Sequence, residues 1–189
     1  MNAKEIALGE IKALAEILSH VDTAQTDQLV REITQAKRIF IGGAGRSLLS
    51  MKGFAMRLMQ TAHETFLVGE VCTPSVQPGD LLIVGSGSGK TPVTLEVVRK
   101  AKSHGARTAV ITMHPDAPIP KECDCVVTLL ETPPVSHEDS EALAFAKANL
   151  GGNFSEAAVT LAMDGVIGQL MKENGQTGET IMFYHANLE

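Results

Sequence analysis

With 189 residues, 44% of them apolar and 20% charged, the chain suits one globular domain that buries a core without disulfide or metal staples. A net charge of −6 and scattered Lys and Arg leave no electrostatic footprint for nucleic acid. The opening residues lack the apolar stretch of a secretory signal, no run is long enough to span a bilayer, and three cysteines cannot all pair, so a reducing cytoplasm without disulfides is expected.

Residues Ala7, Ile11, Leu14, Leu18 and Val21 recur at helical spacing and predict an amphipathic helix over the first twenty residues. Asp22 to Gln25 resembles a capping box and opens a second helix carrying Leu29, Val30 and Ile33, so residues 1–36 read as a helical packing arm. The pattern changes at Arg38-Ile39-Phe40-Ile41, an apolar run that ends in Gly42-Gly43-Ala44-Gly45 and leads to a helix with Leu48, Leu49, Phe54, Ala55, Leu58 and Met59. A second strand is expected over 64–68 and a third over 81–85. A helix with Val93, Val97, Val98 and Ala101 follows, then strands at 107–112 and 125–130. Residues 133–139 read as a loop and 141–147 as a short helix. A long helix opens at Asn153 with Phe154, Ala157, Ala158, Leu161, Ala162, Gly165, Val166 and Leu170 on one face, ahead of a polar tail, 153–189 in all. Continuously apolar strands separated by helices indicate a parallel sheet covered on both sides, because parallel strands need long crossovers. The predicted fold is a single α/β domain over 1–189, a doubly wound, flavodoxin-like three-layer α-β-α sandwich around a five-stranded parallel sheet.

The chemistry concentrates in two Gly-rich loops. Ser86-Gly87-Ser88-Gly89-Lys90-Thr91 follows the third strand and misses a P-loop by one position, since Val84 stands where the first glycine belongs. A strand running through such a loop into a helix offers N–H groups and hydroxyls to an oxyanion. Lys90 then faces solvent, because nothing aims it at a phosphate without the full P-loop geometry. Gly43-Ala44-Gly45-Arg46-Ser47-Leu48 has two glycines of the dinucleotide fingerprint but Leu48 in place of the third. Either loop alone is equally well a tight turn. Together, at the strand edge where doubly wound sheets bind ligands, they point to a phosphorylated substrate held by Gly45, Ser47, Ser86, Gly87, Ser88 and Thr91. Arg46 is open to two readings, a substrate contact or a surface ion pair. No His, Cys or acidic spacing matches a metal site, so no metal or cofactor is expected. Cys72, Cys123 and Cys125 read as small core residues, and Thr73-Pro74-Ser75 as a pocket wall or a turn.

Residues Arg38 to about Leu129 resemble a sugar isomerase (SIS) domain, whose marks are the first Gly-rich loop and the S-G-S-G-x-T run. More closely, Gly43-Ala44-Gly45-Arg46-Ser47, Phe54-Ala55-Met56-Arg57-Leu58-Met59, Val68-Gly69-Glu70, Thr73-Pro74 and His185-Ala186-Asn187-Leu188-Glu189 are similar to the 6-phospho-3-hexuloisomerases. The resemblance implies interconversion of D-arabino-hex-3-ulose 6-phosphate and D-fructose 6-phosphate in the ribulose monophosphate route of formaldehyde fixation, by a homotetramer. It also implies Glu156 as the base and His185 as the acid or ring-opening group. Two positions depart from the family pattern: Ser155 replaces an aromatic residue before Glu156, and Tyr184 replaces an arginine before His185. Without the resemblance, Asn153 to Glu156 reads as a helix cap and His185 as a solvated tail residue. A helix N-terminus favours the carboxylate anion, which opposes its use as a strong base.

Overall fold

The computed structural model describes residues 2–129, 144–145, 148–149 and 155–188. Helices α1 (Ala3–Ser19) and α2 (Thr23–Gln35) come first. They are followed by β1 (Ile39–Gly43), α3 (Gly45–Gln60), β2 (Thr65–Leu67), β3 (Leu81–Gly85), α4 (Pro92–Ser103), β4 (Arg107–Thr112), α5 (Pro118–Glu122), β5 (Cys125–Thr128), α6 (Ser155–Glu173) and α7 (Gly178–Phe183). The sheet runs β2-β1-β3-β4-β5 with every pair parallel. This is the expected doubly wound order, with its reversal between β1 and β3.

The pleat explains how one apolar run serves two layers. Ile39, Ile41, Leu81, Ile83, Ala109, Ile111, Cys125 and Val127 face one side, where α1, α2, α3 and α6 pack. Phe40, Leu82, Val84 and Val110 alternate to the other, against Val98 and Ala101 of α4 and Ile119 of α5. The outer edge of β5 is closed by side chains. Gln25 Oε1 accepts the Thr128 N–H at 2.8 Å, and Gln28 Nε2 donates to the Asp124 carbonyl at 3.1 Å. Both glutamines lie on α2, so this helix satisfies backbone groups that an edge strand would otherwise present to another chain.

Several expectations need correction. Helix α1 buries Ala13, Leu14 and Ile17, while Ala7 and Ile11 are exposed. Two apolar stripes compete on this helix, and the core takes the one offset by three residues. Asp22 caps α2 through the Ala24 N–H without a capping box, because Gln25 is engaged at β5. Val93, Leu161 and Gly165 face outward, and β5 stops at Thr128. Cys72 is exposed in the turn after Glu70, while Cys125 is buried. Desolvation pushes the Cys123 and Cys125 thiols up to about 12 and about 11, so both stay protonated and inert at neutral pH. The loop over 133–139 and the helix start at Asn153 lie outside the described residues, as does the short helix over 141–147 apart from Ala144 and Phe145.

The end of α3 carries a pH-sensitive contact. Thr61 Oγ1 donates to the Leu58 carbonyl at 2.8 Å and meets His63 Nδ1 at 2.9 Å, and Gln176 anchors the Thr61 carbonyl from beyond α6. Burial lowers the His63 pKa below its ordinary 6.5, against the opposing pull of its contacts at Thr61 and Leu58. The unfolded chain therefore takes up a proton that the folded chain refuses. Stability from this site is complete above about pH 6.5 and is lost as pH falls through the lower folded value. Urea midpoints measured from about pH 7.5 down to about pH 5 should fall less steeply for His63→Gln than for the parent chain.

Candidate active site

The two Gly-rich loops leave adjacent strands, with Gly43 of β1 in register with Gly85 of β3. Close approach explains one glycine here and a left-handed backbone the other. A Cβ on Gly85 would stand 2.6 Å from Met51 Cγ of α3, and Gly45 opens that helix at φ +57°. The second loop is tied down on both sides. Ser86 N–H donates to the Ile111 carbonyl at 3.0 Å, Gly89 N–H to the Ser86 carbonyl at 3.0 Å, and Ile119 N–H to the Gly89 carbonyl at 2.9 Å. Ser86 Oγ lies 3.4 Å from Thr91 Oγ1. The N–H groups of Gly87 and Ser88 form no hydrogen bond among the described residues and remain available to a ligand.

These loops converge on a cavity of about 280 Å³ lined by Ser47, Gly87, Ser88, Thr91, Met113, His114 and Glu156. Ser47 comes from the first turn of α3, Thr91 is the N-cap residue of α4, and Glu156 lies in the first turn of α6. Helix α6 is held against α3 by Ser50 Oγ, which donates to the Glu156 carbonyl at 3.1 Å. The Glu156 carboxylate is 18% exposed and lies 3.7 Å from the Arg46 guanidinium, which is itself 60% exposed. The wall thus offers loop N–H groups and hydroxyls beside the N-termini of α3 and α4, suited to an oxyanion, together with a carboxylate that has an arginine beside it.

The placement of the expected site residues is uneven. Ser47, Gly87, Ser88, Thr91 and Glu156 share the cavity wall. Gly45 shapes the entry to α3, and Ser86 is buried beneath the loop. Arg46 is not in the wall but is paired with Glu156, and Lys90 is exposed. His185 is outside this cavity in its own chain. It is exposed on the tail after α7, where Nδ1 lies 3.0 Å from the Ala186 carbonyl. Thr73, Pro74 and Ser75 line a different cavity, about 420 Å³ and largely apolar, between α4 and the segment after β2. Met113 and His114 belong to the site and carry no sequence signature. Their only signal is that they follow β4, so their loop leaves the same sheet edge as the two Gly-rich loops.

Comparisons with known proteins agree with this geometry. The SIS domain family model matches residues 32–150. The 3-hexulose-6-phosphate isomerase of Methylomonas aminofaciens is 37% identical over 95% of this chain and 96% of its own. The 3-hexulose-6-phosphate isomerase of Bacillus subtilis (strain 168) is 35% identical with both chains fully covered. Among solved structures, a Methanococcus jannaschii protein whose crystal structure infers a function of 3-hexulose-6-phosphate isomerase superposes with a TM-score of 0.78, at 30% identity over all of both chains. The chain belongs to the SIS domain family, in the branch that holds the 3-hexulose-6-phosphate isomerases.

Proposed function

We propose that this chain is a 6-phospho-3-hexuloisomerase, interconverting D-arabino-hex-3-ulose 6-phosphate and D-fructose 6-phosphate. The observation that carries the reading is the joining of the Ser/Gly loop and Glu156 in one cavity wall. Moving the carbonyl from C3 to C2 requires loss of the C2 proton, a 2,3-enediol and return of a proton to C3, with no net change in composition. The loop N–H groups and the hydroxyls of Ser47, Ser88 and Thr91 hold the phosphate. Glu156 takes and returns the proton between carbons. Arg46, held at the carboxylate, is suited to steady the negative oxygen of the enediolate. None of these steps calls for a metal or cofactor, and no group of His, Cys, Asp and Glu able to hold a metal occurs among the described residues.

We place the reaction in the ribulose monophosphate route, in the cytoplasm, and read the whole of 1–189 as one SIS domain with its helical arm and C-terminal tail. Among the described residues no helix is long and apolar enough to cross a membrane. Self-association is supported by apolar side chains left outside the core, Leu8 and Ile11 on α1, Met182 and Phe183 on α7, and Leu188 beyond it, and the tetramer is what the family resemblance implies. The exposed tail supports a site completed by His185 from a neighbouring subunit, acting as acid or in ring opening.

Assaying hexulose 6-phosphate, ribulose 5-phosphate and arabinose 5-phosphate side by side tests the substrate. Turnover of the first to fructose 6-phosphate, well above the other two, is expected. Efficient turnover of arabinose 5-phosphate alone would replace the reading with an aldose–ketose isomerase. Co-expression of His185→Ala and Glu156→Gln chains tests the tail. Each variant alone should be nearly inactive, and mixed oligomers should recover activity, because some sites then combine an intact Glu156 with an intact His185.

A further inference from the structure

We infer that His114 is the phosphate-binding cation of this site, supplying in the loop after β4 the positive charge that the Ser/Gly loop lacks. The inference rests on the phosphosugar reading above. The cavity wall consists of serine, threonine, glycine and methionine apart from two ionisable side chains, Glu156 and His114. A phosphate dianion there meets neutral donors and one carboxylate. Lys90 is exposed and outside the wall, and Arg46 is engaged with Glu156. His114 is therefore the one group in the wall able to carry positive charge.

Its backbone is tied to the Ser/Gly loop. Met113 N–H donates to the Gly87 carbonyl at 3.1 Å, and Thr112 Oγ1 reaches the same carbonyl at 3.4 Å. His114 N–H donates to Thr112 Oγ1 at 3.2 Å, and its own carbonyl accepts the Ala117 N–H at 3.1 Å, closing a short turn over Gly89. The residue is thus fixed to the loop whose N–H groups hold the phosphate. Glu156 enters the cavity from a different element, α6. An imidazole N–H to a phosphate oxygen is a charge-assisted bond, roughly twice as strong as a neutral one. His114 is exposed at the surface turn, so its replacement leaves the core intact.

The test pairs kinetics with a ligand that needs no turnover. In His114→Ala, the KM for hexulose 6-phosphate and the inhibition constant of inorganic phosphate should both rise about tenfold with kcat held within twofold. His114→Asn, which keeps an N–H donor but no charge, should recover part of that loss. In the parent chain, the His114 ring signals should shift on titration with inorganic phosphate at fixed pH. Unchanged KM and phosphate inhibition in His114→Ala would overturn the inference, as would a fall in kcat at constant KM, which would assign His114 to the carbons. If the parent chain isomerises no hexulose 6-phosphate yet phosphate still moves the His114 ring, the enzyme reading fails and the phosphate site stands.

Discussion

Glu156→Gln is expected to reduce kcat for hexulose 6-phosphate by about 10³-fold or more while changing KM by less than about threefold, since general-base steps contribute some 10²–10⁴. Glutamine keeps the volume of the side chain and can still meet Arg46, but it cannot accept the C2 proton. The pairing with Arg46 does not confound the result. That guanidinium is 60% exposed, and ion pairs with a solvated partner add little to stability. The bond from Ser50 Oγ to the Glu156 backbone carbonyl, which holds α6 against α3, is kept in the variant. Exchange of the C3 hydrogen of fructose 6-phosphate with deuterated water should stop in the variant together with turnover. Activity within threefold of the parent chain would remove Glu156 from the role of base. Full loss of activity with exchange retained would move the defect to the oxygens.

How much of this site could be read beforehand depends on how local its signals are. The central strands were legible because they are short apolar runs buried on both faces, so Ile39-Phe40-Ile41 and Leu81-Leu82-Ile83-Val84 need no alternation to be recognised. The Ser86 to Thr91 loop was legible because glycine, serine and a following helix lie in one stretch of chain. Helix α1 was legible as a helix but its buried face only in part: Leu14 is buried as expected, whereas Ala7 and Ile11 are exposed and Ala13 and Ile17 are buried, a choice that only the neighbouring layers make. Gln25 looked like part of a cap because its partner, Thr128, is 103 residues away. Glu156 and His114 share this difficulty. Their meeting with Ser88 follows from β4 lying beside β3 and α6 packing on α3, which no local spacing reports. For Glu156 a family resemblance supplied what periodicity could not. His114 had no such help and becomes visible only once the strand order is known.

Gly89→Ala is expected to lower kcat/KM for the phosphosugar by about 10²-fold, mostly through KM, with the fold retained. Gly89 has φ +62°, a left-handed conformation costing an ordinary residue roughly 1–2 kcal/mol. That is within the 5–15 kcal/mol or so by which a domain is usually stable. Space is the harder constraint. A Cβ at this position would stand 2.6 Å from Ala117 Cβ, 3.1 Å from the His114 carbonyl and 3.2 Å from Thr112 Oγ1. All three belong to the turn that holds His114, so relief on either side moves the loop against its partner. Retreat of the Gly89 backbone strains its carbonyl bond to Ile119 N–H and the Ser86–Gly89 turn, displacing the Gly87 and Ser88 N–H groups from the phosphate. Retreat of the 112–117 segment instead loosens the Met113 bond to Gly87 and carries His114 away. A misplacement near 1 Å is enough for a loss of about 10². Gly53→Ala provides the contrast. Gly53 lies inside α3 with nothing within 4 Å of an added Cβ, so alanine there should stabilise the helix by about 0.5–1 kcal/mol and leave KM unchanged. Equal KM in the Gly89 variant and the parent chain would mean that the loop backbone does not hold the phosphate.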